Sequence, residues 1–92
     1  MKQIIVSSHF VKFKKRAHSK LQLTIDEQVK LIIENPEIGE LKKGDLKTVR
    51  ILKFKFNKQL YLLSYEFKME TLFLYTIGSH ENYYRDLKNY LH

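Results

Sequence analysis

Three apolar segments joined by very short connections occupy the middle of the chain, and they constrain its fold more than any other feature. The segments cover residues 47–56, 59–67 and 71–77, and each is rich in the β-branched and aromatic residues that favour strands. The two- and three-residue connections between them are short enough for hairpin turns. The sequence therefore predicts three consecutive antiparallel strands, and the third is expected to be buried on both faces because its apolar residues are consecutive.

The flanking segments predict one more strand and three helices. Residues 3–6 form a short apolar run, and the two serines at 7–8 can cap a helix after it. Residues 24–27 fit a capping box at the start of a second helix, which Pro36 would end. Gly78 ends the third central strand, and Ser79 can cap a last helix whose apolar residues are Tyr83, Tyr84, Leu87, Tyr90 and Leu91. The predicted order is βααβββα, an α+β domain in which an antiparallel sheet packs against helices.

The first of the three central strands contains a conflict of parity. Its apolar residues at positions 49 and 51 have one parity and those at 52, 54 and 56 have the other, so a regular strand cannot turn both sets to one core. A β-bulge near residues 51–52 would resolve the conflict. It would also place Arg50 on the same solvent face as Lys53 and Lys55.

Most of the net positive charge lies in this strand and in the loop before it. Residues 42–58 carry seven lysines and arginines against one aspartate, a net +6 of the formal +7 of the whole chain. A row of cations on a rigid strand favours a polyanionic partner, either nucleic acid or an acidic protein. The alternative is a solvated strand face without a partner.

Composition and motifs exclude several other classes. The chain has no cysteine, so disulfides and thiolate metal sites are excluded, which fits a reducing compartment. It has no Gly-rich phosphate loop, HExxH motif or paired-histidine spacing, so we expect no metal site and no cofactor. No segment is long and apolar enough for a signal peptide or a membrane span. We expect one cytoplasmic domain, residues 1–92, with no membrane partner.

Three residues outside the cationic strand are candidates for chemistry. His80 follows the third central strand at the start of the predicted last helix, where a histidine can exchange protons near neutral pH. The alternative is a surface histidine in the first turn. Glu66, the acid of the second central strand, is either a general base or the partner of a neighbouring lysine. Tyr84, or its neighbour Tyr83, could stack on a base or donate a hydrogen bond.

Three stretches keep an order and spacing that match a known family. They are Thr48-Val-Arg-Ile51, Tyr61-Leu-Leu-Ser-Tyr-Glu-Phe67 and Ile77-Gly-Ser-His-Glu-Asn-Tyr-Tyr-Arg-Asp-Leu87. Together with the element order, they resemble the RelE/ParE superfamily of bacterial type II toxin–antitoxin toxins. The resemblance implies one of two activities. RelE-like members are metal-independent mRNA endonucleases that act in the ribosomal A site, where the RNA 2′-hydroxyl attacks the adjacent phosphate. ParE-like members inhibit DNA gyrase.

The resemblance also implies roles for residues. His80 is expected as general acid or base, with Glu66 and Tyr84 as secondary catalytic candidates. The scissile phosphate would be held by Arg50, Lys53 and Lys55. More general RNA contacts are expected from Lys42, Lys43, Lys47 and Lys58. One departure stands out, because Leu62 occupies a position where many members have an arginine. This departure keeps the gyrase inhibitor and a catalytically inactive binding relative open as alternatives.

The implied partners follow from the two activities. An mRNA endonuclease of this type would bind messenger RNA and the ribosome, and a gyrase inhibitor would bind DNA gyrase. Under either reading we expect a small antitoxin with an acidic segment that covers the cations or displaces the last helix and that folds on binding.

Overall fold

Two helices pack against one face of a five-stranded sheet in the computed structural model, which describes residues 2–42 and 48–80. In chain order the elements are β1 (Gln3–Val6), α1 (Ser8–Arg16), α2 (Ser19–Glu34), β2 (Glu40–Leu41), β3 (Arg50–Phe56), β4 (Gln59–Lys68) and β5 (Thr71–Ser79). This architecture confirms the predicted α+β class. The predicted last helix lies outside the described residues, and none of the described helices is long and apolar enough to cross a membrane.

Strands β3, β4 and β5 form the predicted antiparallel meander, and the sheet order is β1-β5-β4-β3-β2. The two hairpin turns, Asn57-Lys58 and Met69-Glu70, have positive φ at all four residues, between 51° and 66°. That conformation is the one that type I′ turns require, and its twist matches the strands on either side. Two features were not predicted: β1 pairs in parallel with β5, and the short edge strand β2 lies between α2 and the first central strand, where no strand was expected.

The first helix begins as predicted and the second does not. Ser7 is the N-cap of α1, and its Oγ accepts a hydrogen bond from the backbone N–H of Phe10 at 3.0 Å. Helix α2 begins at Ser19, so the predicted start at residues 24–27 is wrong. Thr24 lies inside the helix and donates from Oγ1 to a backbone carbonyl one turn earlier, at 3.2 Å. The buried residues of α2 begin at Leu21, before the capping-box sequence. The helix starts early because burial of this apolar face stabilises its first turn.

The main core lies between the helices and the sheet. Its buried residues come from both helices and the three central strands: Phe10, Leu21, Ile25, Ile32, Phe54, Leu63, Tyr65, Leu72, Leu74 and Ile77. A second, smaller cluster of Val49, Ile51 and Leu62 packs with Tyr75. By the alternation of side chains along a strand, this cluster lies on the opposite face of the sheet. Strand β5 is buried on the helix side, at Leu72, Leu74 and Ile77, but Phe73 and Tyr75 on the opposite face are only half-buried. The prediction that the third central strand is buried on both faces therefore holds only in part.

The predicted bulge in β3 is wrong. Strand β3 pairs with β4 in unbroken register from Arg50, opposite Tyr65, to Phe56, opposite Gln59. The parity conflict is resolved differently, because each face of β3 has its own apolar cluster. The register shift lies one strand further on, between β4 and β5 after Ser64.

The loop after α2 is fixed by two side chains that are opposite each other in the sheet. The hydroxyl of Tyr65 donates to the carbonyl of Pro36 at 2.7 Å and accepts from the N–H of Gly39 at 2.8 Å. Arg50 donates from Nη1 to the carbonyls of Gly39 at 2.8 Å and Glu37 at 3.3 Å. A Cβ at Gly39 would lie 2.7 Å from the tyrosine oxygen, so this close approach requires glycine. Burial raises the pKa of Tyr65, which therefore stays protonated and able to donate.

We expect Tyr65→Phe to lower the free energy of unfolding by about 1–3 kcal/mol, because it leaves the N–H of Gly39 and the carbonyl of Pro36 without their partner. Urea unfolding followed by circular dichroism measures this change. Tyr61→Phe is the matched control, because its hydroxyl makes one exposed bond to Gln59, of 3.3 Å. We expect the control to cost less than about 0.5 kcal/mol. Equal losses in the two variants would contradict a structural role for the Tyr65 hydroxyl.

Candidate nucleic-acid interface

The face of β3, β4 and β5 turned away from the helices, hereafter the far face, carries the cations of β3. Lys53 and Lys55 are exposed and share the parity of Ile51, so both project from this face. Lys53 lies opposite Leu62, and Lys55 lies opposite Leu60. The two lysines are two positions apart on one strand, and they therefore present adjacent positive charges.

His80 lies in the same row as Lys55. Its backbone N–H donates to the carbonyl of Leu60 at 3.0 Å, and Leu60 is itself the register partner of Lys55. Lys55 of β3, Leu60 of β4 and His80, the residue directly after β5, thus follow one another across the sheet. Two strand spacings put the backbones of Lys55 and His80 about 10 Å apart. His80 is exposed and borders an open depression of about 240 Å³, which is also lined by Gln59, Leu60 and Ser79.

Arg50 does not join this group. It has the opposite parity to Lys53 and Lys55, lies on the helix side of β3, and bonds to the carbonyls of the loop after α2. The expectation that a bulge would bring these three cations to one solvent face is therefore wrong, because the β3 register is continuous. A guanidinium that holds a loop in place is poorly situated to hold a phosphate on the far face.

The remaining predicted RNA contacts are dispersed. Lys58 is exposed in the β3–β4 turn, and Lys42 follows β2 with its N–H bonded to the carbonyl of Val49 at 2.9 Å. Lys43, Lys47 and Tyr84 lie outside the described residues, so they remain predictions.

Glu66 is buried on the far face within a network of partners. It accepts a hydrogen bond from the hydroxyl of Tyr75, and the Nζ of Lys68 lies 3.6 Å from its Oε1. Burial raises the pKa of Glu66, but hydrogen bonds from Thr48 and Tyr75 and the charge of Lys68 lower it by more. The net effect is a pKa below the ordinary value for a glutamate. A carboxylate with a low pKa is a weak base near neutral pH. The geometry fits the alternative in which Glu66 pairs with a neighbouring lysine.

Leu62 stands at the position where the sequence resemblance implies an arginine. Its side chain is 1% exposed and packs with Val49 and Ile51 in the far-face cluster. The position is therefore part of an apolar core and offers no group that could bind phosphate.

Sequence reasoning missed an aromatic pair on the far face. Phe73 and Tyr75 lie with ring centroids 6.3 Å apart and an interplanar angle of 24°, and the Nζ of Lys68 is 5.6 Å from the Phe73 ring centre. Two aromatics at alternate positions of the third central strand were the available signal. Across the described ranges, 2–42 and 48–80, no cluster of acidic and histidine side chains is arranged to hold a metal ion.

Comparison with known proteins gives a family match and several structural likenesses. Residues 4–88 match the family model of the ParE-like toxin of type II bacterial toxin–antitoxin systems. No curated protein matches the chain. A conserved hypothetical protein from Helicobacter pylori, known as a solution structure, is 30% identical, with 88% of this chain and 97% of that chain covered and a TM-score of 0.52.

Two structures from Escherichia coli share the fold. A mutant of the toxin RelE in the free state is similar with a TM-score of 0.72 and 17% identity, over 94% of this chain and 93% of that chain. The intact RelBE toxin–antitoxin complex gives a TM-score of 0.65 and 18% identity, over 82% of this chain and 92% of that chain. At this identity the likeness establishes the arrangement of helices and strands.

Proposed function

The chain belongs to the ParE-like toxins of type II bacterial toxin–antitoxin systems, and on that premise we propose that it is a ribosome-dependent endonuclease that cuts messenger RNA. The observation that carries the proposal is the row of Lys55, Leu60 and His80 across the sheet. This row pairs a cation with a histidine, a type of side chain that can give or take a proton. Such a pair is what cleavage of a phosphodiester by its own 2′-hydroxyl requires.

The proposed reaction assigns one role to each side chain. The 2′-hydroxyl loses its proton and attacks the adjacent phosphorus, and the bond to the 5′-oxygen of the next nucleotide breaks. The products are a 2′,3′-cyclic phosphate and a 5′-hydroxyl. His80 either takes the proton of the 2′-hydroxyl or gives a proton to the leaving 5′-oxygen, and solvent water accepts or donates the other proton. Lys55 and Lys53 stabilise the extra negative charge on the phosphate. Arg50 has a different proposed role, which is to position the loop after α2.

The proposed partners follow from the charge of the chain. A formal net charge of +7 favours the RNA of the ribosome, which Lys42, Lys43, Lys47 and Lys58 would contact. The same charge favours an acidic antitoxin, and the RelE toxin, whose fold is similar, is known in complex with its antitoxin. We propose that such a partner neutralises this chain.

Leu62 favours a second candidate, inhibition of DNA gyrase without catalysis. An apolar cluster that includes Leu62 stands on the far face. At this position the family resemblance implies a phosphate-binding arginine. A binder needs no phosphate-holding arginine, so the substitution would cost it nothing.

One experiment separates the two candidates. Purified chain is added to a reconstituted translation reaction with a defined messenger RNA, cleavage is mapped by primer extension, and supercoiling by purified gyrase is measured in parallel. We expect cuts in the translated region that require ribosomes and disappear when the nucleotide 5′ of the cut lacks its 2′-hydroxyl. Supercoiling should be unaffected. Inhibited supercoiling without cleavage would replace the first candidate by the second.

A further inference from the structure

A second concave surface lies on α1, apart from the far face of the sheet. It encloses about 370 Å³ and is lined by His9, Lys12, Phe13, Arg16, Ala17 and Leu21. Its floor is apolar, and its nitrogen-bearing side chains, His9, Lys12 and Arg16, have the spacing i, i+3 and i+7. That spacing puts them on one side of the helix. Helix α1 carries four lysines and arginines and no acid, so no charge within the helix offsets this rim.

His9 gives this hollow an unused hydrogen-bonding atom. Its Nδ1 is buried and has no hydrogen-bond partner among the residues the structure describes. A buried polar atom without a partner costs about 1–3 kcal/mol. Because His9 as a whole is only half-buried, a turn of its ring would bring Nδ1 to the hollow, and a ligand that then supplies the missing bond recovers that free energy. An apolar floor, one ring nitrogen and two cations together match the chemistry of a nucleotide, which has an apolar base face, polar base edges and phosphates.

The hollow lies at the same end of the sheet as His80. The Phe13 ring on its floor makes an edge contact with the Tyr61 ring, at 6.3 Å between centroids. Tyr61 is the register partner of Ser79, the residue before His80. A strand of RNA that passes His80 on the far face can therefore reach α1 by crossing the end of the sheet.

We propose that the hollow binds one unstacked nucleotide of single-stranded RNA, near the nucleotide that is cut. The base lies on Phe13 and Leu21 with one edge hydrogen-bonded to His9, and the neighbouring phosphates contact Lys12 and Arg16. The inference rests on the proposed function to the extent that both take RNA as the ligand.

Binding of a labelled RNA to the full chain tests the proposal. The probe is a ten-nucleotide single strand of mixed sequence with 2′-O-methyl groups, which cannot be cleaved through the 2′-oxygen, and the readout is fluorescence anisotropy. We expect Lys12→Gln/Arg16→Gln to weaken binding by about 10-fold or more and to lower the slope of log K against log salt by about 1–2. Lys15→Gln/Lys30→Gln removes the same charge from exposed sites outside the hollow. This control should weaken binding by less than about 3-fold.

His9→Phe tests the hydrogen bond separately from charge. It keeps an aromatic ring and removes the unpaired nitrogen, so it should weaken RNA binding by about 3- to 10-fold without lowering stability. Equal losses in the two double variants would overturn the proposal. So would unchanged RNA binding in Lys12→Gln/Arg16→Gln together with weakened binding of the antitoxin, since the hollow would then be a protein site. Hollow-dependent RNA binding by a chain that cuts no messenger RNA would support the hollow and count against the endonuclease.

Discussion

Lys55→Ala and His80→Ala each lower the rate of ribosome-dependent mRNA cleavage by about 10²–10³-fold under the proposed mechanism. In that mechanism the lysine would supply charge that the phosphate needs most strongly in the transition state, and the histidine would transfer a proton. Both side chains are exposed, so their removal should leave stability nearly unchanged. Rates from primer-extension time courses at saturating ribosome concentration, with unfolding curves for each variant, measure the two effects independently.

Lys30→Ala is the matched control for Lys55→Ala. It removes one exposed lysine from α2, on the helix side of the sheet, and should change the cleavage rate by less than about 3-fold. Arg50→Ala should behave differently from both, with a loss of stability because the carbonyls of Glu37 and Gly39 lose their donor. Cleavage at the wild-type rate by His80→Ala would show that the histidine takes no part in the mechanism. Equal losses of rate in Lys30→Ala and Lys55→Ala would show that Lys55 contributes only to the overall charge of the chain.

The meander and its turns could be predicted from sequence because the signals are local. Alternation within strands and two-residue connections specify antiparallel neighbours without reference to the rest of the chain. The pairing of β1 with β5 joins Gln3 to Thr71, and such distant pairings leave no local pattern. The edge strand β2 is similar, because Glu40 and Leu41 become a strand by lying beside Ile51 and Arg50.

The wrong bulge in β3 and the wrong placement of Arg50 both come from one assumption, that the sheet has a core on one face only. With one core, the two apolar parities of β3 required a bulge, and the bulge moved Arg50 to the side of Lys53 and Lys55. The protein instead buries Ile51 on the far face and Phe54 on the helix face, with an unbroken ladder between them. Lys55 and His80 could be chosen as candidates from charge and from position along the chain. That they lie in one row across the sheet follows only from the pairing of Lys55 with Leu60 and the bond from His80 to Leu60.

Leu62→Arg, which restores the residue that many relatives carry, is expected to destabilise this protein by about 3–5 kcal/mol and to leave it without higher activity. The side chain of Leu62 is 1% exposed, so a guanidinium there would be buried among Val49 and Ile51. Lys53 lies directly opposite in the register and adds repulsion between like charges. Glu66, the buried acid of β4, is already engaged by Tyr75 and Lys68.

Urea unfolding and the cleavage assay together measure the outcome, with Leu62→Met as the control that conserves volume and costs less than about 1.5 kcal/mol. A domain of this size is stable by about 5–15 kcal/mol, so the arginine variant should show a large fall in its unfolding midpoint. If Leu62→Arg folded like the wild type and cleaved faster, the far-face cluster would not be needed for stability. The absence of an arginine at this position would then simply lower activity. The expected result instead links the two changes: an apolar cluster at Leu62 excludes an arginine there, and the positive charge beside it on the far face comes from Lys53 and Lys55 of the neighbouring strand.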